Sequence, residues 1–284
     1  MIDNLFLSVG AMKAGTTWLY LQLSEHPEIY FTPEKEIHYF ANKVGIENQL
    51  NQKNRIQKLK DCLNEFSKGN LKYIHQNIET IAWYVDYARP KEITNEWYID
   101  LFKRKGNEKY CADFSNLYCQ MQDDGWENVY SAAKNVKIVY TLRDPIERLW
   151  SHYKFHMKWS GQEADTLRLS IGEFEKIIDS HWLWINTEYV KNHQNLTKNV
   201  PDSDLLIVYF EDFREAPRKS LFALQDFLGL KKKFCREDFF DKKINKSNDL
   251  TAPSDWLDSM HRKLHYSCSE MKDIGIWHPA WHEV

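Results

Sequence analysis

The chain has no run of apolar residues close to the roughly 20 that a membrane-spanning helix needs. It has no excess of one charge either: 38 Lys and Arg stand against 41 Asp and Glu, for a net charge of −3. That balance excludes a general nucleic-acid or membrane-surface binder. Cysteine is scarce and odd in number, with Cys62, Cys111, Cys119, Cys235 and Cys268 scattered and no C-x-x-C pair. That pattern fits a reducing compartment with mostly structural thiols better than a disulfide framework or zinc site. No internal repeat or low-complexity linker divides the sequence, so one α/β domain over residues 1–284 is expected. The remaining histidines, among them His156, His181, His193, His261, His265, His278 and His282, show no metal-ligand spacing. The loop that carries the chemistry begins at residue 10, which leaves no room for a signal peptide and points to a cytoplasmic protein. What is abundant is core material: 43% hydrophobic residues, with 11 Trp, 15 Tyr and 15 Phe.

The most informative stretch is Val9-Gly10-Ala11-Met12-Lys13-Ala14-Gly15-Thr16-Thr17-Trp18. An apolar run, Leu5–Val9, reads as a buried strand that breaks at Gly10. Thr16 then opens a periodic apolar segment (Trp18, Leu19, Leu21, Leu23) that reads as a helix. Strand, glycine loop and helix form a phosphate cradle, because free backbone N–H groups and the positive helix end converge where only glycine admits an anion. The spacing Gly10 to Gly15 is that of a nucleoside-triphosphate P-loop, G-x-x-x-x-G-K-[ST]. Thr16, however, stands where the lysine belongs, and the cation has moved back to Lys13, from where it can reach the bridging oxygen of a leaving group.

Further along, Ile29–Phe31 reads as a short strand running into Pro33–Phe40. Tyr110–Asp113, Val136–Leu142 and Leu205–Phe210 read as buried strands. Pro145 suits the first turn of a helix, and Pro217–Leu228 reads as a helix stopped by Gly229. Strands alternating with helices predict a central parallel sheet flanked by helices, with ligands at the strands' carboxyl ends. Residues 42–108 show helical patterns and no clear strand. They are expected to form an insertion on the acceptor side, where Tyr73, Trp83, Tyr84, Tyr87, Trp97 and Tyr98 would suit a sugar or a compact molecule.

In Arg143-Asp144-Pro145-Ile146-Glu147-Arg148-Leu149-Trp150-Ser151, the first residue closes a buried strand and Ser151 follows about two helical turns later. Arg143 could grip a second phosphate through its planar fork, with Ser151 donating to the same group. It could equally pair with Asp144 or Glu147.

At this point the chain resembles the sulfotransferases that use 3′-phosphoadenosine-5′-phosphosulfate (PAPS). Gly10–Trp18 is similar to their 5′-phosphosulfate loop and Arg143–Ser151 to their 3′-phosphate segment. Lys35-Glu36-Ile37-His38-Tyr39-Phe40 resembles the K-E-x-H-[FY]-F box of the carbohydrate (heparan-type) branch. Trp97–Phe102 and Ala112–Tyr118 resemble that branch's W-Y…F and G-E-x-[ST]-P-x-Y segments, and Tyr209–Arg214 with Pro217 resembles Y-E-D-L…P. The matches span about residues 5–230.

The resemblance implies PAPS as donor, 3′-phosphoadenosine 5′-phosphate (PAP) as product and no metal. It implies Lys13 as leaving-group stabiliser, with Ala14, Gly15, Thr16 and Thr17 around the 5′-phosphate. It places Trp18 on adenine (a core tryptophan is the alternative), Phe210 among the cofactor contacts, and Arg143 and Ser151 at the 3′-phosphate. Glu36 is the first choice as base. His38 is the second, since its ordinary pKa near 6.5 suits that task. Asp113 stands where the family usually has glutamate and is expected to orient the acceptor or Lys13, with capping of a strand end as the alternative.

Departures are Phe114 for a lysine, Asn116 for a proline and Phe210 for a tyrosine. The lost charge at Phe114 argues against a highly anionic polysaccharide. Lys242, Lys243 and Lys246 either contact the 3′-phosphate or form a solvated face. The expected reaction is in-line sulfuryl transfer to a hydroxyl or amine of a small molecule or carbohydrate. The alternative is a P-loop kinase using ATP and Mg²⁺, with Thr16 and Arg143 counting against it.

Overall fold

The computed structural model describes residues 1–68, 74–234 and 250–282; Lys242, Lys243 and Lys246 lie outside the described residues. Five strands, β1 (Ile2–Ser8), β2 (Ile29–Phe31), β3 (Tyr110–Phe114), β4 (Ala133–Leu142) and β5 (Leu205–Tyr209), form one sheet in the order β2-β3-β1-β4-β5. Every pairing is parallel, with Leu7 opposite both Asp113 and Ile138. The strand nearest the phosphate loop is therefore the central one. Side chains alternate across it: Leu5 and Leu7 enter one apolar layer, Phe6 the other.

Helices α1 (Thr16–Leu23) and α2 (Tyr39–Lys43) follow β1 and β2. Between residues 42 and 108 come α3 (Gln52–Lys68), α4 (Ile74–Ala88) and α5 (Asn95–Asp100), capped by Thr94 through the Trp97 N–H at 3.3 Å. Arg55 is buried among them and spends its donors on the carbonyls of Leu50, Tyr87 and Pro90 at 2.6–3.1 Å. This corrects one expectation. Trp83, Tyr87, Trp97 and Tyr98 are buried and stack on one another and on Tyr39, so they fill a core rather than offer a surface to a sugar. Tyr73 lies outside the described residues.

Next come α6 (Asp123–Ala132), α7 (Pro145–Trp159), α8 (Ile171–Ile178), α9 (His181–Trp184), α10 (Tyr189–Asn199), α11 (Phe210–Glu215), α12 (Pro217–Phe227) and α13 (Ser254–Asp273). Asp144 caps α7, accepting from the Glu147 N–H at 3.0 Å, and Pro145 occupies its first turn. α1 and α12 cover the Phe6 face, while α7, α8 and α13 build a third cluster around Trp150, Phe174 and Trp256. The last sequence-predicted strand residue, Phe210, opens α11 instead.

Candidate active site

The loop after β1 is sewn to β4: the Ala11 N–H donates to the Thr141 carbonyl and the Thr141 N–H to the Gly10 carbonyl, both at 2.7 Å. A methyl group on Gly10 would stand 2.8 Å from the Asn116 carbonyl oxygen and 2.9 Å from Cys119 Sγ, so the close approach of two backbones requires glycine there. Gly15 turns the chain into α1 at φ +89°. Thr16 and Thr17 then supply first-turn N–H groups, which have no acceptor within the helix. Lys13 is held at φ +69° with Nζ 4.4 Å from the centroid of the Phe155 ring. Among the described residues no carboxylate pairs with it. Burial, aided by the charge of Arg143, pulls its ammonium down to about 8. A half-buried cation with no ion-pair partner among the described residues, beside a cradle of N–H groups, fits an anionic group with a leaving oxygen.

Arg143 follows β4 and closes the opposite side. Its Nη1 donates to the Lys13 carbonyl at 3.3 Å, its Nη2 pairs with Glu147 at 3.1 Å, and the guanidinium lies 4.8 Å over the Phe210 ring. Phe210 also touches the loop, since a Cβ on Gly15 would fall 2.5 Å from its Cδ2. Loop, Arg143 and Phe210 therefore form one continuous wall. Ser151 is half-buried one turn before Phe155 on α7, which places it on the Lys13 side of that helix. Trp18 packs at 5.2 Å on Phe213 in the apolar layer under α1. The paired partner of Arg143 is Glu147, not Asp144. The Asp144 carboxylate caps α7 through Oδ1 and accepts from His282 through Oδ2 at 2.6 Å.

The acid-base candidates gather on the β3 side. Glu36 Oε1 accepts from Asn116 Nδ2 at 3.0 Å and faces Lys35 Nζ at 3.3 Å, while Oε2 faces His38 Nε2 at 3.5 Å. Burial pushes this carboxyl up, yet His38 and Lys35 outweigh it and hold it at about 2. Glu36 is thus a poised anion with 37% of its side chain exposed. His38 sits in the left-handed region at φ +57°, fixed by its N–H donating to Ser115 Oγ at 2.9 Å.

Asp113 lies beneath these groups rather than among them. It is buried, and its oxygens accept from Ser115 Oγ at 2.6 Å, Tyr118 at 2.8 Å and Tyr98 at 3.0 Å. Burial raises its pKa, only partly offset by those hydroxyls. The expectation that it meets the acceptor gives way to a supporting position: its lone pairs are committed to three hydroxyls. Phe114 points to the opposite layer, edge-on to Phe6 at 5.4 Å. The side chain at that position lies in apolar core, so the inference drawn from a missing lysine charge there does not hold for this chain.

The sequence profile of the Sulfotransferase family matches residues 6–233. The chain belongs to that family. It is 24% identical over 239 residues to human "Carbohydrate sulfotransferase 15", which covers 80% of this chain and 40% of that protein. It is 27% identical over 154 residues to "Membrane-associated sulfotransferase kil1" of Dictyostelium discoideum, covering 54% of this chain and 23% of that one. The chain thus spans less than half the length of these curated relatives. Among solved structures, a sulfotransferase from Alicyclobacillus acidocaldarius superposes with a TM-score of 0.65 at 21% identity, covering 96% of each chain. Mouse sulfotransferase SULT7A1, solved with PAP, superposes with a TM-score of 0.50 at 14% identity, covering 96% of this chain and 86% of that one. These likenesses establish the sulfotransferase fold.

Within that fold, several residues join the site that sequence reasoning gave no role in it. Phe155 could have been found by carrying the helical spacing one turn on from Ser151. Asn116 and Ser115 hold Glu36 and His38, and no local pattern announces contacts across some 80 residues. The C-terminal Trp277–Trp281 stretch packs against the core, and two clasps hold this end of the chain. His278 Nε2 lies 3.3 Å from Asp212 Oδ1, and His282 binds Asp144. Among the described residues no cluster of His, Cys, Asp and Glu could hold a metal, and no helix is long and apolar enough to cross a membrane.

Proposed function

We propose that this chain transfers a sulfuryl group from PAPS to a hydroxyl or amine of a small molecule or carbohydrate. The observation that carries this reading is the joining of two separate anion grips, the Lys13 loop and Arg143, by the Arg143–Lys13 carbonyl bond across Phe210. A donor with one phosphate at its reacting end and another on its ribose needs two such grips; ADP needs only one. When bound, PAPS supplies the sulfuryl group: the acceptor atom bonds sulfur as the sulfur–oxygen bond to the 5′-phosphate breaks, and PAP leaves with that electron pair.

Lys13 places its ammonium on the leaving oxygen, where negative charge grows during transfer. Gly15, Thr16 and Thr17 hold the 5′-phosphate at the positive end of α1. Arg143 and Ser151 take the 3′-phosphate, with Glu147 giving way to it, and Trp18 and Phe210 border the purine. Glu36 accepts the acceptor's proton, and His38 Nε2 beside it stabilises the protonated pair. Asn116 and Ser115 fix both groups so that reacting atoms meet in line. One domain over residues 1–284, with the helices of 42–108 on the acceptor side, completes this reading. A kinase is disfavoured because both oxygens of Asp144, the acid nearest the end of β4, are already engaged.

Calorimetric titration of PAP and ADP, with and without Mg²⁺, tests the assignment on the parent chain and on Lys13→Ala and Arg143→Ala. PAP should bind more tightly than ADP without metal, and Arg143→Ala should erase the difference. Equal binding of ADP with Mg²⁺, indifferent to Arg143→Ala, would overturn it.

A further inference from the structure

Lys35 touches both halves of the site. Its Nζ donates to Thr17 Oγ1 at 3.1 Å, in the first turn that follows the phosphate loop, and to Glu36 Oε1 at 3.3 Å, in the acid box. Its side chain crosses toward Tyr20, with Nζ 5.9 Å from the ring centroid, and is only 20% exposed. The charged and polar groups facing Glu36 are Lys35 from its own segment, His38 from the start of α2, Asn116 from the segment after β3, and the more distant charge of Lys13. Lys13 belongs to the donor loop itself; of the other three, Lys35 is the one that hydrogen-bonds to the turn following that loop.

We infer that Lys35 is a positioning residue shared between the donor's 5′-phosphate and Glu36, so that donor binding loosens its hold on the acceptor base. The inference rests on the sulfotransferase reading. An ammonium carries three donors on a flexible stem and has no directional fork, so it redistributes between neighbouring anions without a backbone change. Thr17 Oγ1, while accepting from Lys35, keeps its own hydroxyl proton for a phosphate oxygen. An anion taken there falls beside the ammonium and competes with Glu36 for it. Glu36, held at about 2 in the free protein, regains basicity as that cation is drawn off. The base is then weak until the donor is in place.

The competition can be read from donor affinity alone, with PAP as the probe and no acceptor. Calorimetric titrations are made on the parent chain, Glu36→Gln, Lys35→Met and the double variant, with Lys35→Gln as a polar substitute should Lys35→Met unfold and Lys35→Arg as the rescue. Removing the Glu36 charge should release Lys35 to the phosphate and tighten PAP by about fivefold, the upper range for a partly exposed ion pair. In the Lys35→Met background the same change should matter less than about twofold, because what remains is the direct repulsion. Lys35→Arg should restore the larger effect. An equal response to Glu36→Gln with and without Lys35 overturns the inference while leaving the PAP-over-ADP preference untouched. Loss of that preference in the parent chain removes the donor assignment and this inference together.

Discussion

Gly15→Ala probes the wall of the site most directly. Two costs add at this position. The backbone sits at φ +89°, where a β-carbon costs ~1–2 kcal/mol. The new methyl would also stand 2.5 Å from Phe210 Cδ2 and 2.9 Å from Cε2, well inside contact distance. The ring has little freedom to retreat, since Arg143 lies on it at 4.8 Å and Arg214 at 5.9 Å. Overpacking of this kind costs ~1–3 kcal/mol. Urea unfolding should therefore show Gly15→Ala to be destabilised by about 2–5 kcal/mol, the sum of the backbone and packing contributions. Phe210→Ala combined with Gly15→Ala should recover the packing part, leaving about 1–2 kcal/mol attributable to the backbone. PAP affinity should fall in the single variant, because a displaced Phe210 carries Arg143 with it. Strict additivity of the two substitutions would refute the contact, and a loss below about 0.5 kcal/mol would refute the strained geometry as well.

Other perturbations give separate readouts. Glu147→Gln should tighten PAP by about two- to fivefold by freeing the Arg143 fork, as expected for a partly exposed pair, and calorimetry on that variant checks it. Asp113→Ala strips three buried hydroxyls of their acceptor and should cost about 3 kcal/mol or more by denaturant titration, whereas Asp113→Asn retains an acceptor and should cost less. Lys13, lowered from 10.5 to about 8, binds fewer protons folded than unfolded between those values, so stability should rise with pH across that window. Lys13→Met should abolish this rise in melting curves. Glu36 gives a slope of the same sign at acid pH, although its shift stabilises the fold whereas that of Lys13 costs stability. Lowered from 4.5 to about 2, it contributes stability that is present above pH 4.5 and lost as pH falls toward 2, and Glu36→Gln should flatten that limb.

What was legible in the sequence was what depends on chain-local constraint. Leu5–Val9 followed by Gly10 and Gly15 could be read because strand, tight turn and helix start each demand particular residue types over a few positions. The run 136–142 likewise announces a strand buried on both faces, and the sheet that follows from it is observed. The residues around Glu36 were legible only as a box. Nothing within Lys35–Phe40 says that its carboxylate will be met by an amide from position 116 or its histidine fixed by a hydroxyl from position 115; those contacts exist because β3 lies between β2 and β1. The same topology explains two of the expectations that the structure corrects. Asp113 and Phe114 are neighbours in sequence, and a strand of period two sends them to opposite faces of the sheet. One face carries Tyr98 and Tyr118, which consume the carboxylate; the other carries Phe6 and Phe31, which bury the ring. Neither side chain is left to meet an acceptor, so the proposed sulfuryl transfer would have to read its acceptor through Glu36, with His38 beside it, and through the half-exposed ring of Phe155 against Lys13.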